Sequence, residues 1–163
     1  MKKILIALAL FSSLSVSANQ DAEVLGVAFG STCEETVQKL NKDYGTPKSQ
    51  SADKLVYLNE MFEGFKVDRV ELGFQDLQGT TKLNQARFYF VCPNKAAAIA
   101  RMKSLVKKME TRYSVSYDEE DGGTAFYKGG NSPLGIGCLF TIFVSPYQGK
   151  WTCQLRYGKF QFK

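Results

Sequence analysis

Two stretches near the end of this chain alternate strictly. Cys138, Phe140, Ile142 and Val144 fall on every second residue, and Trp151, Cys153, Leu155 and Tyr157 do the same after a turn within Pro146–Lys150. A period of two sends apolar side chains to one side of an extended strand and the intervening ones to the other. The pair therefore reads as a hairpin with one buried face. Ala86, Phe88, Phe90 and Cys92 repeat the pattern, with Arg87 and Tyr89 on the opposite side. Strands near Leu55–Phe62 and Phe65–Phe74 precede them, joined by a tight turn at Glu63-Gly64. The hydrophobic phase slips at Asp68-Arg69, where Val67 and Val70 are out of step, and a β-bulge is expected there.

A half-apolar sheet needs a cover, and two helical segments are present to supply it. Ser31 and Thr32 are each followed three residues later by a glutamate, Glu34 and Glu35, a doubled capping-box pattern. The helix they open carries Cys33, Val37, Leu40 and Tyr44 on one face and stops at Gly45 and Pro47. Pro93 ends the third strand, and Asn94 is a good cap for a second helix with Ile99, Met102, Val106, Met109 and Tyr113 on its apolar stripe. Arg101, Lys103, Lys107, Lys108 and Arg112 lie on its other side, a solvated face. Short strands at Leu25–Phe29, Val115–Tyr117 and Thr124–Lys128 complete the reading. The expected fold is α+β: two helices on one face of a mostly antiparallel sheet, in two halves of similar order.

The first residues read as a leader. Lys2 and Lys3 precede eight apolar residues, Ile4 to Phe11, and a Ser-rich segment ends in Val16-Ser17-Ala18. That layout is the n-region, h-region and cleavage site of a secretory signal, and the apolar run is far below the roughly 20 residues of a spanning helix. Residues 1–18 are thus expected to be removed after Ala18, leaving residues 19–163 as one domain in the periplasm or outside the cell. Without the leader, Lys+Arg falls from 21 to 19 against 16 acidic residues, so the formal +5 falls to about +3, ordinary for a small domain. Neither that charge nor export suggests a nucleic-acid partner, and no membrane span is expected in the mature chain.

Cys33, Cys92, Cys138 and Cys153 all lie beyond the leader. In an oxidising compartment an even count suggests disulfides, with three connectivities open. The spacings lack the CxxC pairs of zinc or thioredoxin-like sites, and the chain has no histidine.

The run Gly30-Ser31-Thr32-x-Glu34-Glu35-x-Val37-x-x-Leu40, with Gly45-Thr46-Pro47 after it, resembles the opening of small envelope proteins of the SmpA/BamE kind. The repeated order of helix and strands is similar to the tandem modules of β-lactamase-inhibitor proteins. Both resemblances imply a module that binds other proteins.

The lack of histidine removes the commonest general base and the Ser-His and Cys-His nucleophilic pairs. Ser51-Ala52-Asp53-Lys54 is a Ser-x-x-Lys in a polar loop, and no phosphate-binding glycine motif is present. Asp118-Glu119-Glu120-Asp121 does not have the every-second-residue spacing of an EF-hand loop and reads as a solvated hairpin tip. No cofactor or metal is therefore expected. The chain is expected to be a non-catalytic binding module of the cell envelope, with an envelope or extracellular protein as partner. A glycan- or small-ligand module and a histidine-independent hydrolase are the other readings. The sheet side bearing Arg87 and Tyr89 is the expected binding surface.

Overall fold

A computed structural model describes residues 22–120 and 124–163. The expected leader and its cleavage point lie outside them, as does Asp121 of the acidic tip. The chain runs through β1 (Glu23–Val24), β2 (Val27–Ala28), α1 (Cys33–Tyr44), β3 (Ser49–Gln50), β4 (Lys54–Phe62), β5 (Phe65–Leu77) and β6 (Thr80–Cys92). Then follow α2 (Lys95–Met109), β7 (Val115–Glu120), β8 (Thr124–Asn131), β9 (Cys138–Tyr147) and β10 (Lys150–Tyr157). The fold is α+β with a mostly antiparallel sheet. Strands β3 to β10 form one eight-stranded sheet in the order β3-β4-β5-β6-β10-β9-β8-β7, and β1 and β2 form a small ribbon.

The helices begin where the capping chemistry directs. Thr32 is the N-cap of α1: its hydroxyl accepts from Glu35 N at 3.2 Å, and Glu35 Oε2 accepts from Thr32 N at 2.8 Å. Gly45 closes α1 at φ 66°. Asn94 Oδ1 accepts from Ala97 N at 2.8 Å to open α2. The two-residue turns at Glu63-Gly64 and Gln148-Gly149 have positive φ at both positions, the backbone hand that matches the twist of the strands they join.

Alternation along the strands builds the core. Leu55, Val70, Leu72, Phe88, Phe90, Leu155, Phe140 and Ile142 are buried in one cluster, and Leu40 of α1 and Met102, Leu105, Val106 and Met109 of α2 join it. Phe88 holds the middle, with the Phe62 ring 4.4 Å and the Tyr157 ring 6.0 Å from its own. Helix α2 packs on β10, β9 and β6; α1 touches β6 and β2. Glu63 of the β4–β5 turn ties down the end of α2 by pairing with Arg112 and, at 4.0 Å, with Lys108. Part of the expected solvated face of α2 is thus used to fix it on the sheet.

The phase slip is real but is not the expected bulge at Asp68-Arg69. The β4–β5 register is the same on both sides of it, Leu58↔Arg69 and Glu60↔Val67. Instead both strands flip together: Asn59 adopts φ 60°, and Val67 and Val70 are both buried. The Asp68 carboxylate accepts from Val91 N at 2.7 Å where main-chain pairing with β6 stops. The register shift of this region lies between Gly73 and Phe74, against β6.

The expected disulfides do not form; all four cysteines are free thiols. On the last hairpin Cys153 stands opposite Val144, six residues or roughly 20 Å along β9 from Cys138. Cys33 begins α1 beside Leu83, whose N–H bonds to Ser31 O at 2.7 Å, at the other end of β6 from Cys92. Burial in the core pushes the Cys153 thiol up to about 12, and the neighbouring Cys92 adds to this.

Candidate functional site

The residues between the core positions make up the outer face of the sheet, and pairing arranges them in rows. One row carries Glu71 of β5, Arg87 of β6, Arg156 of β10 and Thr141 of β9. The next carries Arg69, Tyr89, Gln154 and Phe143. Arg87 and Arg156 are direct cross-strand partners, two like charges in the one place where an antiparallel sheet penalises them.

The charges do not cancel locally. Glu71, only 9 % exposed, accepts from Arg69 Nε at 2.7 Å rather than pairing with Arg87, which faces it across the ladder. Arg87 has one long contact, 3.4 Å, to Gln85 Oε1 and also supports the Tyr89 phenol. The Arg156 guanidinium lies 4.9 Å from the centre of the Phe143 ring. Both Nε atoms, of Arg87 and of Arg156, are buried without a hydrogen-bond partner among the described residues. Burial, and then Arg87 itself, lowers the pKa of Arg156.

Tyr89 is where strand parity put it, but it is not exposed. It is 4 % accessible because Tyr147, at the end of β9, stacks on it with ring centres 4.3 Å apart. Burial raises its pKa, Glu71 adds to the rise, and Arg87 opposes it. The open aromatic surface expected here is instead a closed tyrosine pair beside the arginines. Thr152 and Gln154 continue the polar rows but are buried: Gln154 Nε2 donates to Thr152 Oγ1 at 3.0 Å, and Thr152 Oγ1 donates to Ser145 O at 2.6 Å.

Next to Arg87 the face opens into a pocket of about 280 Å³ that includes Glu71, Gly73, Gln85, Lys54 and Lys159. Gly73 makes it, because a Cβ there would lie 2.4 Å from Gln85 Nε2. Lys159 reaches it because the last residues are tied to the sheet, with Phe160 and Asn84 exchanging bonds and Phe162 and Gln75 doing the same. Gly158 turns the tail at φ 76°, where a Cβ would strike Asn84 O at 2.3 Å.

A second concavity, about 760 Å³, lies between α2 and strands β7–β9, with Ile99, Met102, Tyr127 and Trp151 in its wall and Lys95 and Lys103 at its rim. Tyr117 projects into it from β7 and is 56 % exposed. The other motifs do not assemble into sites. Ser51 Oγ donates to Asp53 Oδ1 at 2.7 Å instead of meeting Lys54 Nζ, and this bond holds the Asp53 carboxyl below its usual range. Asp118 pairs with Lys128, which lowers the pKa of the acid and raises that of the base. Among the described residues no cluster of three or more His, Cys, Asp or Glu side chains could hold a metal ion, and no helix is long and apolar enough to cross a membrane.

Of the expected surface, Arg87 and Tyr89 lie together on the outer face. Arg69, Glu71, Tyr147, Gln154 and Arg156 complete it. The alternation of Trp151, Cys153, Leu155 and Tyr157 already places Gln154 and Arg156 opposite the core. What it lacks is the information that β10 pairs with β6 as well as with β9. No family model, curated protein or solved structure matches the chain.

Proposed function

We propose that this protein is an exported, non-catalytic binding module that engages a partner protein through the outer face of its sheet. The cross-strand pair Arg87–Arg156, with both Nε atoms buried and unpaired, carries this reading. A fold gains nothing from like charges set opposite each other and partly desolvated, and left alone such a pair costs stability. An incoming anionic group would gain from it what the fold does not. The sheet order supports a further reading, that helices on one face and two related halves of helix plus strands, joined at β6 and β10, leave a broad second face for binding. The resemblance of the Gly30–Leu40 segment to envelope proteins of the SmpA/BamE kind and the leader-like first residues suit a partner in the envelope or outside the cell.

The test is affinity capture from envelope extract of the producing cell, with the native protein and an Arg87→Glu variant in parallel. The expected result is one stoichiometric protein held by the native chain and lost from the variant. Absence of such a protein, or its equal retention by Arg87→Glu, overturns the proposal. The concavity beside α2 favours a second reading, a glycan or other small ligand, because its volume is that of an ordinary ligand pocket and Tyr117 and Trp151 offer aromatic surface. Ligand-dependent quenching of the fluorescence of Trp151, the one tryptophan in the chain, would support that reading.

A further inference from the structure

We infer that the Arg87–Arg156 pair is a receptor for one carboxylate, the side chain of an aspartate or glutamate on the partner protein. The inference rests on the outer face being the binding surface and names the chemistry at its centre. Directly opposed residues on antiparallel strands have Cβ atoms about 5 Å apart, so two arginine side chains leaving them can converge on one small anion. Each guanidinium offers a planar fork of donors, which suits bidentate contact with a carboxylate. Both Nε–H groups are buried and lack a partner among the described residues, so an arriving carboxylate meets the Nη edges of the forks first and draws the Nε–H groups in behind them.

The surroundings raise the value of such a contact. Tyr89 and Tyr147 stack on one side, and Phe143 lies against Arg156 on another. Around these rings an ion pair is less screened than in open water. The nearby carboxylate, Glu71, is bonded to Arg69 and does not neutralise the pair. Gln154 and Thr152, buried beside the pair on β10, are bonded to each other and to Ser145 O, so they do not compete for the arginines.

The position also separates a carboxylate from a phosphate. Phosphate sites draw on several converging main-chain N–H groups, at helix starts or in nests. In the middle of this sheet the main-chain N–H groups of β6 and β10 are engaged in the ladder with each other and with their outer neighbours. Only side-chain donors are free, so a phosphate would find the two guanidinium forks but none of the main-chain N–H groups that usually complete its site.

The Nε–H resonances of Arg87 and Arg156 in the purified protein report binding directly, and Arg87→Lys and Arg156→Lys assign them. Each substitution keeps the charge and removes the fork. The probes are a capped peptide with one glutamate among alanines, the same peptide with glutamine, and inorganic phosphate. The expected outcome is that the glutamate peptide shifts both Nε–H resonances in a saturable way, at least about tenfold more tightly than the glutamine peptide. Phosphate is expected to bind no more tightly than the glutamate peptide, and either lysine variant to lose about tenfold while keeping native dispersion elsewhere in the spectrum. Lys39→Gln, on the exposed side of α1, should bind as the native chain does. Unmoved Nε–H resonances, equal affinity for the two peptides, or tighter phosphate binding would each overturn the inference. Those results would leave a captured partner standing, whereas saturable glutamate binding with no captured partner would sink the proposed function and spare the site.

Discussion

Phe88 and Arg87 are neighbours in the chain and belong to two different environments. Phe88 is fully buried among Phe62, Tyr157 and the inward side of α2, in contacts that satisfy one another. Arg87, one residue earlier, faces a like charge and a glutamate committed elsewhere. The difference separates the two faces of the sheet. The core face is resolved internally; the outer face holds partly buried polar groups, two of them arginine Nε atoms without a partner among the described residues.

Substitutions can test how deep that contrast runs. Phe88→Ala should cost about 3–5 kcal/mol in urea unfolding, while Arg87→Ala should cost less than about 1 kcal/mol. Comparable losses would mean that the outer face is structural after all. A smaller but definite loss is expected at Glu71. Glu71→Gln weakens the bond to Arg69 at a buried position and should destabilise by about 1–3 kcal/mol, measured the same way.

The Cys153 thiol brings the core face into the same comparison through pH. Burial raises its pKa in the folded chain to about 12, above the ordinary thiol value to which it returns on unfolding. Its contribution is therefore complete below about pH 8.5 and is lost as pH rises toward 12. Melting temperatures from pH 8 to 11 should fall less steeply for Cys153→Ala than for the native chain. Parallel slopes would show that the thiol is not buried as described.

The most telling outcome on the outer face has the opposite sign. Arg156→Met removes a like charge from beside Arg87 and trades the cation–π contact with Phe143 for a sulfur–ring one, so it should raise stability by up to about 1 kcal/mol in the same unfolding assay. Stability gained with carboxylate binding lost would mark the pair as a site maintained at the fold's expense. The smallest effect belongs to Tyr57, whose buried hydroxyl has no partner among the described residues. Tyr57→Phe should leave stability unchanged or slightly higher, because no hydrogen bond is lost.

Much of the fold could be read from local pattern. The caps at Thr32 and Asn94, the stripes of the two helices and the alternation of β6, β9 and β10 depend on residues a few positions apart, where the physics is short-ranged. The cysteines show the limit. Their even number and the expectation of export argue for disulfides, yet bond formation depends on distance, and the register puts Val144 rather than Cys138 against Cys153. Tyr89 shows it again: parity gives its face, but the stacking of Tyr147 from another hairpin decides its exposure. The concerted flip at Asn59 and Asp68 imitates a bulge because one strand alone cannot reveal what its partner does.

Residue order was therefore enough to divide the strands into an apolar and a polar side and to place Arg87 and Tyr89 on the polar one. Side-chain direction in a strand is set by the backbone of that strand alone. The joining of β6 to β10 belongs to the tertiary structure, since strands some sixty residues apart are brought together by the packing of the whole sheet. That pairing put Arg156 opposite Arg87, and so made cross-strand partners of two arginines that lie far apart in the chain.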